Sequence, residues 1–320
     1  MKISIITPLY NKGPYIAETI QSVIDQTHSD WEMLIIDNLS TDDGFEIAKQ
    51  FEDPRLRFLT NDVPGPGSTR NVGLDEAAGE WILYLDADDL LEPGYLSTML
   101  QTAQENPDTE IVATSWKEFR SDSPPRDMTE KQPARAVKPG SGLEAFAIAH
   151  TCWSIHAAIV KRDWLGDIRW PVELDGYLAE DTAYWFRVVT GANVSYTSDA
   201  GALYRTQTVG CRSDYTPEAW FEGNHQVVLF NLAFLEGQGR SPSKEQIESL
   251  VRLYSSLFTK ARRARDTVTV KRACCEATMW LAEYKQLGGD PSLSMKLRSI
   301  LGVKAFEQLR QMMISIRPNS

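Results

Sequence analysis

The first hundred residues alternate short apolar runs with amphipathic segments, and polar clusters close the main runs; no other feature limits the fold as strongly. Ile3-Ser4-Ile5-Ile6 and Trp31-Glu32-Met33-Leu34-Ile35-Ile36 read as buried strands. Arg57-Phe58-Leu59 is a short third strand and Trp81-Ile82-Leu83-Tyr84-Leu85 a fourth. Between the first two, Gly13-Pro14 opens a helix whose apolar positions Ile16, Ile20, Val23 and Ile24 recur at helical spacing. Ser40 and Asp43 are placed to form a capping box before a helix carrying Ile47, Ala48 and Phe51. A Gly/Pro loop, Pro64 to Gly67, leads into a helix near Ser68 to Ala78. Strands separated by helices predict an α/β fold with a mixed, mostly parallel sheet flanked by helices.

The pattern continues with a helix after Pro93, a strand near Glu110 to Glu118, and residues 121–141, rich in Pro, Ser and charge, as a long surface loop. A mixed segment, Ile155 to Val160, precedes a helix beginning near Glu180 and two short strands, Val194 to Thr197 and Ala202 to Tyr204. Beyond Thr216 the pattern is helical to the end, with breaks expected at Gly237 to Pro242, Gly288 to Pro291 and Gly302. The expected division is therefore an α/β unit over residues 1–215, with halves of about 1–105 and 106–215, and a helical extension over 216–320.

Charge and cysteine usage exclude several classes. The net charge is −11, but from Ser241 onward 14 Lys and Arg oppose 7 Asp and Glu, so that segment is +7 and the remainder −18. An acidic body argues against nucleic acid as partner. No apolar run approaches the ~20 residues a membrane-spanning helix needs, and the N-terminus reads as a strand from the start, without a signal peptide's apolar stretch. Cys152, Cys211, Cys274 and Cys275 form no CxxC pair, which suits a reduced chain. A cytoplasmic protein is expected.

Thr7 to Asn11, Asp37 to Ser40 and Asp86 to Asp89 each lie where the chain leaves a hydrophobic strand. Ligands of open α/β sheets bind beyond such carboxyl ends, so the three clusters point to one pocket. In Asp86-Ala87-Asp88 two carboxylates stand one residue apart, a donor set for a hard divalent cation. The structural alternative is a solvated turn before the Pro93 helix, with Asp89 as its cap.

Ile6-Thr7-Pro8-Leu9-Tyr10-Asn11, Leu34-Ile35-Ile36-Asp37-Asn38-Leu39-Ser40-Thr41-Asp42, Ser68-Thr69-Arg70-Asn71-Val72-Gly73, Gly79-Glu80-Trp81-Ile82-Leu83-Tyr84-Leu85-Asp86-Ala87-Asp88-Asp89 and Glu180-Asp181 together resemble the inverting GT-A glycosyltransferases of family 2. The pieces stand in family order over roughly the first 205 residues. The resemblance implies the GT-A, Rossmann-like fold and transfer of a sugar from a nucleotide-diphosphate sugar to an acceptor hydroxyl, with inversion. The setting it suggests is polysaccharide, cell-surface glycan or glycolipid synthesis, with a lipid-linked acceptor among the candidates and UDP-sugars favoured as donors.

The resemblance also assigns roles. Thr7, Pro8 and Tyr10 would shape the nucleotide pocket, and Asp37 would meet base or ribose. Arg70 would face the diphosphate or the acid cluster. Asp86, with Ala87, would lie near the ribose, and Asp88 would ligate Mn²⁺ or Mg²⁺, with Asp86 and Gln207 as further candidate ligands. Many relatives carry a histidine where this chain has Gln207, which leaves the third ligand open. Asp181 would be the catalytic base that takes the proton of the acceptor hydroxyl; an acidic residue at a helix start also suits the helix dipole. Glu180 would orient Asp181 or bind acceptor. Trp153 is the first choice among Trp153, Trp164, Trp170 and Trp185 for an acceptor contact, although each also fits a core. For Asp37 the plain alternative is a helix cap, for Arg70 a surface salt bridge, and for His225 a core position.

In the extension, Lys260, Arg262, Arg263, Arg265, Lys271 and Arg272 form a basic cluster. It could meet an anionic membrane surface, dock on the acidic body or a second subunit, or be a solvated helix face. Two other functional classes share parts of the pattern. A nucleotide-cofactor oxidoreductase would need GxGxxG after the first strand, where this chain has Thr7-Pro8-Leu9-Tyr10-Asn11. A catalytically silent nucleotide- or glycan-binding protein would keep the fold without the chemistry. The enzymatic reading requires Asp88 and Asp181 to face each other across one cavity.

Overall fold

The computed structural model describes residues 1–320 except 122–127, 132–141, 209–214, 289–292 and 317–320. Most of the expected 121–141 loop, Cys211 and most of the expected break at Gly288 to Pro291 lie outside the described residues. The first half is built as β1 (Ile3–Leu9), α1 (Gly13–Ile24), β2 (Trp31–Asp37), α2 (Gly44–Ala48), β3 (Leu56–Thr60), α3 (Pro66–Glu76), β4 (Trp81–Tyr84), β5 (Leu90–Leu91) and α4 (Tyr95–Glu105). Then follow β6 (Ile111–Arg120), β7 (Thr129–Lys131), α5 (Leu143–Ala147), β8 (Ala158–Lys161), α6 (Arg162–Leu165), α7 (Glu180–Val189) and β9 (Val194–Thr206).

One mixed sheet runs β3-β2-β1-β4-β8-β6-β9-β5, with β7 added to β6. β1, β2, β3 and β4 are parallel to one another, and β8 joins β4 and β6 antiparallel. β1 is central because both its faces are covered: Ile3, Ile5, Ile6 and Leu9 are fully buried. Each such side chain contributes about 1.5–3 kcal/mol of burial. α1 covers one face with Ile16, Ile20 and Val23, the helical stripe the sequence shows. β9 is a single strand where two were expected, because a register shift between Thr114 and Trp116 of β6 lets the pairing resume beyond an irregularity. The expected capping box is also absent: α2 starts without a side-chain cap, and Ser40 Oγ instead accepts from the Asn11 N–H at 3.1 Å.

The extension comprises α8 (Pro217–Gly237), α9 (Lys244–Arg263), α10 (Thr267–Gln286), α11 (Leu293–Leu301) and α12 (Val303–Ile316). Thr216, Ser243 and Asp266 cap α8, α9 and α10 through their side-chain oxygens. A tight turn at residues 264–266, with Arg265 left-handed, separates α9 from α10 and carries no glycine or proline to announce it. The extension shares the core: Leu235, Leu250, Tyr254 and Phe258 belong to the same buried cluster as β1. Asn231 Nδ2 donates to the Ile148 carbonyl at 3.0 Å, and Arg240 pairs with Glu144.

Candidate active site

The parallel register sets Leu9 beside Asp37 and Ile6 beside Tyr84, so the loops after β1, β2 and β4 leave from one edge. Their polar residues mainly tie one loop to the next. Asn11, in the left-handed region at φ 51°, accepts the Thr41 N–H at 2.8 Å through Oδ1. The Gly13 N–H donates to Asp42 Oδ2 at 2.8 Å. Asn38 donates to the Asn61 and Val63 carbonyls and accepts from the Gly65 N–H.

Beyond this edge opens a cleft of about 1120 Å³. Tyr10, Lys12, Arg70, Asp86, Asp88 and Asp175 border it, and Trp220 of α8 closes one side. Arg70 comes from α3 and is only 4% exposed. Its Nη2 donates to Asp86 Oδ1 at 2.8 Å, and its guanidinium lies 4.4 Å over the Trp170 ring. The surface salt bridge is thereby replaced by a buried cation at the back of the cleft. Lys12 Nζ donates to Asp88 Oδ2 at 2.6 Å.

Asp89 is buried, not a helix cap. Its Oδ2 lies 3.0 Å from His156 Nδ1, and its Oδ1 accepts the Arg205 N–H at 2.8 Å. Burial pushes its carboxyl up to about 6 against the pull of His156. Arg205 Nε also donates to the Asp88 carbonyl at 2.8 Å, so β9 clamps the acidic turn from below. His156 stands alone in the sequence, and only the fold brings it to Asp89.

Residues 4–164, half of the chain, match the family described as Glycosyl transferase family 2. The chain belongs to that family. Among sequence relatives, a poly(ribitol-phosphate) beta-N-acetylglucosaminyltransferase, TarS of Staphylococcus aureus, is 28% identical over 256 residues, 77% of this chain and 43% of that protein. An uncharacterized glycosyltransferase of Rickettsia felis is 40% identical over 106 residues, 33% of this chain and 18% of that protein. The chain thus spans under a fifth of the length of that relative. The fold of this family 2 member matches a crystal structure of S. aureus TarS in complex with UDP-GlcNAc at TM-score 0.58 and 21% identity, over 87% of this chain and 91% of that one. It also matches a mannosyltransferase from Pyrobaculum calidifontis in complex with GDP-Man and Mn²⁺ at TM-score 0.56 and 17% identity, over 98% of this chain and 84% of that one. These likenesses establish the GT-A fold expected from the motifs.

In this family 2 member the expected site residues divide into three groups. Pro8, Tyr10, Arg70, Asp86, Ala87, Asp88 and Gln207 all border the cleft, with Tyr10 58% exposed and its ring open to a ligand. Thr7 is fully buried, and neither it nor Asp37 reaches the lining. Asp37 Oδ2 lies 3.4 Å from the Ser40 N–H, so its observed contact is with the turn after β2. Glu180 and Trp153, the candidates for acceptor contact, are buried and do not border the cleft. Glu180 is 2% exposed and stands 3.9 Å behind Arg70, which leaves it no face for an acceptor. Trp153 is 1% exposed and packs edge-on against Trp185 at 5.1 Å, because its large ring completes the core under α7. Trp170 is buried as well, stacked on Tyr184 at 4.0 Å.

Asp181 is half-buried at the start of α7, where its Oδ1 accepts the Thr182 N–H at 2.9 Å and its Oδ2 lies 3.4 Å from Thr151 Oγ1. It is not among the residues that border the cleft, and the expected confrontation of Asp88 and Asp181 across one cavity does not appear in the lining. The carboxylate on that wall is Asp175, which sequence reasoning missed. It accepts the N–H groups of Gly67 and Ser68 at 2.6 and 2.9 Å and so caps α3. Burial raises its carboxyl, with those two N–H bonds opposing. No signal could have found it, since 108 residues separate it from Gly67.

Among the described residues no three His, Cys, Asp or Glu side chains converge as a metal cage. Asp88, the exposed Gln207 and the Thr208 hydroxyl are hard oxygen donors on one side of the cleft. That set suits Mg²⁺ or Mn²⁺ completed by diphosphate oxygens and water, which are held by one or two carboxylates. His225 is not a candidate: its Nδ1 is 2.7 Å from the Tyr254 hydroxyl and its ring stacks on Phe221. Within the basic cluster, Arg272 pairs with Glu222 at 2.8 Å and Lys260 Nζ lies 3.8 Å over Trp220, both contacts inside the extension. Among the described residues no helix is long and apolar enough to cross a membrane.

Proposed function

We propose that this chain transfers a sugar from a nucleotide-diphosphate sugar to an acceptor hydroxyl with inversion. The observation that carries the reading is the single cleft bordered by Tyr10, Arg70, Asp86 and Asp88 at the carboxyl ends of parallel strands, in a chain of family 2. Tyr10 offers an exposed aromatic face for the base. The buried Arg70 fixes Asp86 toward the ribose, and Asp88 with Gln207 and Thr208 would hold a divalent cation. That cation, when bound, neutralises charge developing on the leaving diphosphate. UDP-sugars are the favoured donors, supported by the complexes of TarS with UDP-GlcNAc and with UDP.

Asp181 is the proposed base. It directly follows Glu180, which lies 3.9 Å from Arg70 of the cleft, and that proximity at the start of α7 supports the assignment. Asp181 Oδ1 accepts the Thr182 N–H at 2.9 Å and its Oδ2 meets the Thr151 hydroxyl at 3.4 Å, a long contact more readily exchanged for an acceptor hydroxyl than the 2.6 and 2.9 Å bonds that both Asp175 oxygens accept from backbone N–H groups. The acceptor proton passes to this carboxylate as the oxygen attacks the anomeric carbon from the face opposite the diphosphate, which inverts that centre.

Isothermal titration with UDP and GDP in the presence of Mn²⁺, followed by turnover of a nucleotide-sugar panel, tests the reading. Asp181→Asn is expected to keep nucleotide affinity within about twofold and to lose at least about a hundredfold in transfer. Normal turnover by this variant would remove Asp181 from the mechanism. Absence of any nucleoside diphosphate binding would favour a glycan-binding protein on the same fold.

A further inference from the structure

The acidic turn contains three carboxylates, and each faces a basic side chain. Asp86 has Arg70, Asp89 has His156 and Asp88 has Lys12. The first two partners are buried, with side chains 5% and 0% exposed, Arg70 over the Trp170 ring and His156 parallel to Tyr204. Lys12 differs. It borders the cleft, its side chain is 21% exposed, and its ammonium sits on a flexible four-carbon stem. Nζ lies 2.6 Å from Asp88 Oδ2 and 3.2 Å from Thr208 Oγ1, between two of the oxygens that a divalent cation would use. Its backbone is held in place: the Lys12 carbonyl accepts from the Tyr15 and Ile16 N–H groups, and the Gly13 N–H donates to Asp42.

We infer that Lys12 is a tethered counter-cation of the diphosphate subsite, which keeps bare metal out and makes a divalent cation enter together with the nucleotide. An ammonium and a doubly charged ion cannot share Asp88 Oδ2, since both would stand within about 2–3 Å of it and repel each other. A nucleoside diphosphate changes the balance in two ways. Its oxygens complete the cation's coordination, and its negative charge receives the displaced ammonium, which remains a point charge within reach of phosphate. Metal and nucleotide then bind cooperatively, and the lysine contributes to the diphosphate site in both states. This inference rests on the donor-site reading above.

The test measures binding, without turnover. Mn²⁺ binding to the full chain is followed by electron paramagnetic resonance of the free ion, without nucleotide, for wild type and Lys12→Met. The variant is expected to bind Mn²⁺ at least about tenfold more tightly, because a repelling charge has left the carboxylate. The double variant with Asp88→Asn loses that gain. UDP affinity in EDTA is expected to fall severalfold in Lys12→Met. Unchanged Mn²⁺ affinity in Lys12→Met overturns the inference, as does a gain that survives Asp88→Asn. Circular dichroism and the melting temperature verify folding, and Lys12→Gln is measured in the same way should Lys12→Met fail to fold. If wild type binds UDP with Mn²⁺ and Lys12→Met behaves like wild type, the lysine role alone fails. If wild type binds no nucleoside diphosphate with or without Mn²⁺, the donor site itself fails.

Discussion

Arg70 and Asp86 meet through one hydrogen bond, Nη2 to Oδ1 at 2.8 Å, with the arginine side chain 5% exposed and the aspartate 34% exposed. The cation is therefore part of the core and the anion part of the cleft. Removing the cation leaves Asp86 and the buried Glu180 without their shared counter-charge, and stripping one partner from a buried pair typically costs about 3–5 kcal/mol. Arg70→Ala is expected to lose stability on that scale in urea unfolding. Arg70→Lys keeps the charge but lacks the planar group that stacks on Trp170, so it is expected to fold and to bind UDP with Mn²⁺ about tenfold more weakly by titration calorimetry.

The close approach of α3 to the sheet gives a second outcome. A Cβ on Gly73 would stand 2.4 Å from Ile6 Cγ2 and 3.0 Å from Ile36 Cδ1, inside a close-packed interior. Overpacking of this kind typically costs about 1–3 kcal/mol. Gly73→Ala is expected to lower the urea midpoint accordingly, and in a double-mutant cycle with Ile6→Ala, which removes the clashing Cγ2, the combined loss is expected to be less than the sum of the two separate losses.

The Asp175 carboxylate bridges the cleft wall to the first turn of α3 through two N–H groups. Hydrogen bonds to a charged group contribute about 1.5–3 kcal/mol. Asp175→Ala is expected to destabilise by about 2 kcal/mol in urea, and Asp175→Asn, which still presents one carbonyl oxygen, by less. Equal stability of all three forms would show that the contact carries no net energy.

His150 supplies a pH signature at the joint between body and extension. Its ring lies 4.7 Å from Phe146, and burial lowers its imidazole to about 4, with Arg252 adding to that shift and a backbone hydrogen bond to Ser249 opposing it. The unfolded chain binds this proton near pH 6.5, so between about 6.5 and 4 the unfolded state carries more protons than the folded one. Stability from this group is full above about 6.5 and falls as the pH drops toward 4, by at most about 3 kcal/mol. Urea unfolding at pH 7.5 and 5 is expected to show this loss in wild type and less of it in His150→Gln.

Strand-by-strand periodicity determined the α/β frame, the sheet edge where the polar clusters gather and the helical character of the extension, because these follow from local spacing of apolar side chains. The motifs located Tyr10, Arg70, Asp86 and Asp88, each of which stands next to a strand end or on the helix beside it. Local pattern could not decide which of those side chains meet one another. The Lys12–Asp88, His156–Asp89 and Asp175–Gly67 contacts join residues 76, 67 and 108 positions apart, and the side-chain directions that create them are set only when the sheet curls and its helices pack. For the same reason sequence left Trp153 and Glu180 open between core and cleft: an aromatic ring or a carboxylate carries no mark of where the fold will place it. Burial and partnership between distant residues were decided by tertiary structure, where packing density leaves each large side chain one place to go.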